Sequence, residues 1–199
     1  MFQSIVGMVV ILTLPVISAI FFRYYDRRYA EGKHGRIPTL PGTLNVYRWA
    51  QYSTALIAAA SLFCHHWALL QLYSSVALFY VGISVCIAAV ALYIFAKVRL
   101  GAQYSPAADS LAANRLVDTG PYAYVRHPIY DAILGWILGL FIATGSMWIV
   151  INFALLAFYL VVSARWEERV LAKVLPAYKE YMARTGAFLP RLHRASLKI

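Results

Sequence analysis

A chain of 199 residues that is 62% hydrophobic and only 13% charged is not a soluble globular domain, in which about a quarter of residues carry charge. Its mean hydropathy is +0.65, and its uncharged runs are too long to hide inside one core. With alternating barrel strands absent, an all-α integral membrane protein is the class that remains. The formal net charge of +10 orients such a protein and touches anionic headgroups, and it speaks against nucleic acid because no basic patch is carried on a soluble fold.

Five apolar segments are predicted to be membrane helices, each matching or nearly matching the roughly 20 residues that cross a bilayer core. They cover about residues 4–22, 46–65, 75–96, 129–143 and 147–163. The first contains Pro15 as a tolerated kink and is preceded by no basic leader, so it is read as a retained span. The last two are separated only by Thr144-Gly145-Ser146 and are predicted to form a tight helical hairpin. Cys64 and Cys86 fall within apolar runs, with no disulfide framework and no metal-ligand spacing. Gly135 and Gly139 lie four residues apart on the fourth span, where small residues let another helix approach. His65-His66, Trp67 and Tyr73 are expected to anchor at headgroup depth.

The basic residues then fix an orientation. Six Lys and Arg lie between the first two spans or, as Arg48, at the start of the second, four lie between the third and fourth, and eight after the fifth, which accounts for all 18. With five spans these segments share one side, and the loops on the other side carry none. The positive-inside rule makes the shared side cytoplasmic and puts the N-terminus outside. The whole chain is predicted to be a single membrane domain.

Two polar constellations interrupt this pattern. The first runs over residues 118–130, Asp-Thr-Gly-Pro-Tyr-Ala-Tyr-Val-Arg-His-Pro-Ile-Tyr. Gly120-Pro121 is a turn signal. Pro128 suits the first position of a helix, with Asp131 near its first turn, so the cluster faces free backbone N–H groups that favour an anion. The second is Arg165-Trp166-Glu167-Glu168, continued by Val170, Leu171, Val174, Tyr178, Tyr181 and Met182 at helical spacing. That continuation is predicted to be a C-terminal amphipathic helix on the cytoplasmic face, interrupted or restarted at Pro176. Adjacent acids gain nothing from an anionic leaflet and call for a partner in the protein or a cationic ligand. The hairpin brings both constellations to one membrane face. Together, Arg126, a helix N-terminus, aromatic faces and glutamates suit a zwitterion with a cationic centre.

The run Leu-Val-Asp-Thr-Gly-Pro-Tyr-Ala-Tyr-Val-Arg-His-Pro-Ile-Tyr over 116–130, followed by Glu167-Glu168, Tyr178, Tyr181 and Phe188-Leu189-Pro190, resembles the isoprenylcysteine carboxyl methyltransferase family. That family's wider relatives include the membrane phospholipid N-methyltransferases. The resemblance covers about residues 116–190, the earlier spans matching only as generic membrane helices. Leu175-Pro176 departs from the Phe-Gly often found there, and the chain resembles the short, five-span microbial form.

The resemblance implies S-adenosylmethionine as methyl donor at the cytoplasmic face and a lipophilic or prenylated acceptor entering from the bilayer. By motif, it implies that Tyr124, His127, Pro128, Tyr130, Glu167 and Glu168 line the donor pocket, with Gly120 and Tyr122 in the preceding turn. Arg126 is the candidate for orienting an acceptor carboxylate, and Glu167 or Glu168 for taking a proton from an amine. Alternatives stay open: helix capping or packing for His127, interface anchoring for Tyr122, and packing for Tyr178 and Tyr181. The acceptor is expected to be an isoprenylcysteine or similar acid, with a phospholipid amine or small lipophilic thiol next. A sterol-reductase-like oxidoreductase and a non-catalytic membrane subunit are the remaining classes.

Overall fold

The computed structural model describes residues 71–100 and 116–191, the stretch 52–57, and single positions within 9–20 and 46–49. The first two predicted spans, the basic loop between them and His65-His66 therefore lie largely or wholly outside the described residues. Those positions of 9–20, 46–49 and 52–57 that are described are helical.

Four α-helices carry the described part: α1, Val76–Leu100; α2, Pro128–Thr144; α3, Met147–Val174; and α4, Pro176–Arg184. A short 3-10 turn, Gly120–Ala123, precedes α2. Helices α1 and α3, of 25 and 28 residues, are long and apolar enough to cross a membrane. α2, with 17 residues, spans only about 26 Å at 1.5 Å per residue. It is short of a full crossing, and the chain around residues 71–73 closes its far end.

Tyr73, expected at headgroup depth, contributes to that closure. The last carbonyls of a helix have no partner within it, and here loop groups supply donors. Tyr73 Oη donates to the Phe141 carbonyl at 2.9 Å and to Ile142 at 3.1 Å. Gln71 Nε2 donates to Thr144 O at 2.9 Å, and Leu72 N to Gly145 O at 2.9 Å. Gly145 ends α2 in the left-handed conformation, φ 68°, and a Cβ there would stand 2.5 Å from Tyr73 O. Only glycine meets both demands.

Helices α1 and α2 run antiparallel in direct backbone contact. A Cβ on Gly82 would lie 2.4 Å from Gly139 O, and one on Gly139 would lie 2.6 Å from Cys86 Sγ. Around this seam the core closes with Phe79, Ile83, Ala89 and Tyr93 of α1, Ile133, Trp136, Ile137 and Leu140 of α2, and Ile149, Leu156 and Leu160 of α3. On α3, Asn152 Nδ2 donates to Ser53 Oγ at 2.8 Å, fastening the helical stretch 52–57.

The fifth predicted span, residues 147–163, is the first part of a longer helix. α3 continues unbroken through Arg165, Glu167 and Glu168 to Val174. Every residue there favours or tolerates helix, and the helix stops only at Leu175, which precedes Pro176. The apolar stretch thus ends within a helix that projects past it.

Candidate active site

The site begins at Gly120. Its φ of 62° is one that L side chains rarely adopt, and it turns the chain beside α1, where a Cβ would stand 3.1 Å from Arg99 Cγ and 3.3 Å from Phe95 Cζ. Pro121 starts the 3-10 turn and Pro128 starts α2, both at positions where the missing N–H is harmless. Between them the chain beyond α4 returns to pair with residues 125–127. Arg126 N donates to Gly186 O at 2.8 Å and His127 N to Ala187 O at 3.0 Å. Tyr181 Oη donates to the Tyr122 carbonyl at 2.6 Å, and Arg184 forms an ion pair with Asp118. α4 and the returning segment therefore clamp the whole polar stretch.

From the other side α3 presents its glutamates. His127 Nε2 lies 3.0 Å from Glu168 Oε1, and His127 Nδ1 stands 3.8 Å from Glu167 Oε2. Arg126 Nε donates to the same Glu168 Oε1 at 2.8 Å. Its Nη1 reaches the Met182 carbonyl at 3.2 Å and also the Thr185 carbonyl. Tyr130 Oη donates to Glu167 Oε1. The His127 ring stacks with Tyr130, centroids 5.4 Å apart and planes 7° apart, and with Phe188 at 5.6 Å and 29°.

The two neighbouring carboxyls sit in opposite fields. Burial pushes Glu168 up, but hydrogen bonds from His127 and Arg126, and their charges, outweigh it and hold the group at about 2. For Glu167, burial dominates and raises the carboxyl above its ordinary value, although His127 and the Tyr130 hydroxyl pull the other way. Hydrogen bonding to the charged form and desolvation are the two competing causes, and a different one wins at each residue. Burial also raises the Tyr178 and Tyr181 hydroxyls, so both stay neutral.

The fold thus brings together Arg126, His127, Tyr130, Glu167 and Glu168, with Pro128 buried beneath them. Gly120 and Tyr122 stand one step back: Gly120 sets the turn and Tyr122 offers its carbonyl to Tyr181. Tyr124 is 68% exposed and lies outside the cluster. Sequence reasoning did not place Phe188 on His127 or the returning chain at 185–187 beside Arg126. The available signal was Thr185-Gly186, a break directly after the Tyr178–Tyr181 face. Gly186 is required there, because a Cβ would fall 1.8 Å from Leu189 O.

The cluster pairs two carboxylates with a row of flat rings at the end of apolar helices, a donor set suited to a cation with an aromatic portion. The phospholipid methyltransferase family matches residues 71–177, a stretch that includes α1, α2, α3 and the polar cluster. Among curated relatives, the cobalt-zinc-cadmium resistance protein CzcN of Cupriavidus metallidurans is 47% identical over 81 residues, 40% of this chain and 37% of that protein. The nickel-cobalt-cadmium resistance protein NccN of Alcaligenes xylosoxydans xylosoxydans is 40% identical over 82 residues, 40% of this chain and 38% of that protein. The chain thus spans under two fifths of either relative. Their names refer to metals, yet among the described residues no group of three or more His, Cys, Asp or Glu is placed to hold one. The family match covers more than half of the chain and includes Arg126, His127, Tyr130, Glu167 and Glu168: this is a member of the phospholipid methyltransferase family, a group of membrane methyltransferases.

Proposed function

We propose that this protein is an S-adenosylmethionine-dependent methyltransferase acting on a lipophilic amine drawn from the bilayer, at a cytoplasmic site formed where α2 begins and α3 leaves its apolar stretch. The observation that carries this reading is the position of His127 within reach of both Glu167 and Glu168. The carboxylates suit the amino group or ribose hydroxyls of the cofactor, and the Tyr130, His127 and Phe188 rings suit its sulfonium and its base. When bound, S-adenosylmethionine supplies a methyl group already activated by a positively charged sulfur.

The chain has to hold, align and dry the reactants. Glu168, locked by Arg126, is a permanently ionised anchor. Glu167 has its Oε1 on Tyr130, so Oε2 is the oxygen left to take a proton from an acceptor ammonium, and burial raises its affinity for protons in the direction that task needs. The engagement of Arg126 is what supports an amine over a carboxylate as acceptor. Its Nε is on Glu168 and its Nη1 on two backbone carbonyls, so among the described residues only Nη2 remains for an acceptor carboxylate. An amine finds a base already in place.

The isoprenylcysteine or similar carboxylate implied by the sequence resemblance is the second reading, and Nη2 of Arg126 is what favours it. Transfer of a labelled methyl group in proteoliposomes separates the two. An N-methyl product keeps its label in mild base, whereas a methyl ester releases it. A base-labile product would replace the amine with the acid, and failure to bind S-adenosylhomocysteine would remove both.

A further inference from the structure

Arg126, His127 and Glu168 are shut in: their side chains are 8%, 7% and 11% exposed. One stretch of chain, residues 176–188, makes contacts that close over them. Met182 and Thr185 place carbonyls on Arg126, Gly186 and Ala187 accept from its backbone N–H and that of His127, and Phe188 covers one face of the His127 ring. With this stretch in place a donor molecule has little access to Glu168 or to the covered face of the imidazole.

The stretch is built to move as a unit. α3 ends at Val174 and α4 begins at Pro176, so Leu175 alone joins them, with φ −118° and ψ 101°. Proline offers no N–H to carry a helix on, and a non-helical residue between two helices can absorb a hinge rotation. Glu167 and Glu168 lie on the α3 side of that joint and stay in place. Among the described residues, none of 176–188 belongs to the apolar core that ties α1, α2 and α3 together. Its hold on the polar stretch is largely polar: the hydrogen bonds above, Tyr181 Oη on the Tyr122 carbonyl, and the Arg184–Asp118 ion pair, whose side chains are 58% and 37% exposed. Segments with few core contacts and solvated bonds occupy the low-stability end of a fold.

We propose that residues 176–188 are a strap, hinged at Leu175 and Pro176, that lifts to let S-adenosylmethionine in and S-adenosylhomocysteine out, with Arg184 and Asp118 as its outer latch. This rests on the donor site proposed above and adds the way it is reached. Lifting parts Phe188 from His127 and the Met182 and Thr185 carbonyls from Arg126, while the guanidinium keeps its bond to Glu168. Closing restores both contacts, so one movement retains the donor and excludes water.

Stopped-flow binding of S-adenosylhomocysteine to the whole protein in detergent tests this. A latch that holds the strap shut in the free and the bound protein alike slows entry and exit equally. Arg184→Gln should therefore raise the association and dissociation rate constants about threefold each, the strength of an exposed ion pair, and leave Kd unchanged. Asp118→Asn should do the same, and the double variant no more than either alone. Amide exchange gives a second readout. The Arg126 and His127 N–H groups, each bonded to the strap, should exchange faster in Arg184→Gln and slower once S-adenosylhomocysteine saturates the site, with the interior of α2 unaffected. Rate constants that do not move, or faster dissociation alone with a weaker Kd, would make the stretch a fixed wall and overturn the strap while the donor reading stands. Wild-type protein that binds no S-adenosylhomocysteine would remove both.

Discussion

His127 meets Glu168 through Nε2 at 3.0 Å while its other ring nitrogen faces Glu167 at 3.8 Å, so one imidazole links two adjacent acids with opposite electrostatics. Glu168 is stabilised as an anion, and its folded-state value of about 2 lies below the ordinary 4.5. A depressed carboxyl contributes stability that is present above the ordinary value and is lost as pH falls towards the folded one. Glu167 is raised, so ionising it inside the fold costs stability. Glu168→Gln should therefore lower melting in detergent at pH 7, by about 3 kcal/mol if it behaves like other broken buried pairs. It should also lose the wild type's acid limb between about 4.5 and 2. Glu167→Gln should melt at or above the wild type at pH 7. Equal effects of the two substitutions would contradict the assignment.

Tyr130 offers a kinetic test. Its hydroxyl lowers the Glu167 carboxyl, so Tyr130→Phe should move that group further up. If Glu167 must be ionised to accept a proton, the acid limb of kcat/KM against pH should shift to higher pH in this variant. A profile that merely drops in height, without moving, would leave Tyr130 with a packing role only.

Arg126 is treated as a positioning residue, because its bonds run to Glu168 and to two carbonyls of the returning chain. Arg126→Lys cannot reproduce that fork and should reduce turnover at least tenfold. Combined with Glu168→Gln it should cost much less than the sum of the two, as residues within one network do. Additive losses in a double-mutant cycle would indicate that Arg126 acts independently.

Phe188 stacks on His127 from the chain's return. Phe188→Ala should weaken S-adenosylhomocysteine binding about tenfold, an aromatic contact of about 1 kcal/mol with lost burial added, while melting changes little. Titration calorimetry in detergent measures this. Unchanged affinity would place the cofactor elsewhere.

The seam between α1 and α2 allows a stability prediction. Gly139→Ala places a methyl group 2.6 Å from Cys86 Sγ and 2.8 Å from Gly82 O, and backbone cannot yield there without parting the helices. A loss of about 1–3 kcal/mol is expected, as for other overpacked cores, seen as a lower melting temperature in detergent.

The parts of the site legible from sequence were those that follow from connectivity. A three-residue turn between two apolar runs obliges residues 126–130 and 165–168 to emerge together, and the His127, Glu167 and Glu168 contacts are the result. Pro128 and Gly120 could be read because their backbone demands are local. What could not be read depends on packing at long range. No periodicity says that residues 185–187 run back beside 125–127, since that segment has no regular element. Nor does it say that Tyr73 caps α2 across 68 residues of chain. Lys97, counted only as an orienting charge, is 2% exposed with its ammonium 5.2 Å from the Tyr93 ring centroid. Its burial follows from packing around the end of α1, which residue type alone does not reveal.

The unbroken passage of α3 out of its apolar stretch has a mechanical consequence. One helix runs from the apolar stretch to Glu167 and Glu168 without a hinge, so the interval between that stretch and the two carboxyls is fixed by helical rise, about 1.5 Å per residue. Inserting a residue between them would rotate both acids away from His127 as well as lift them.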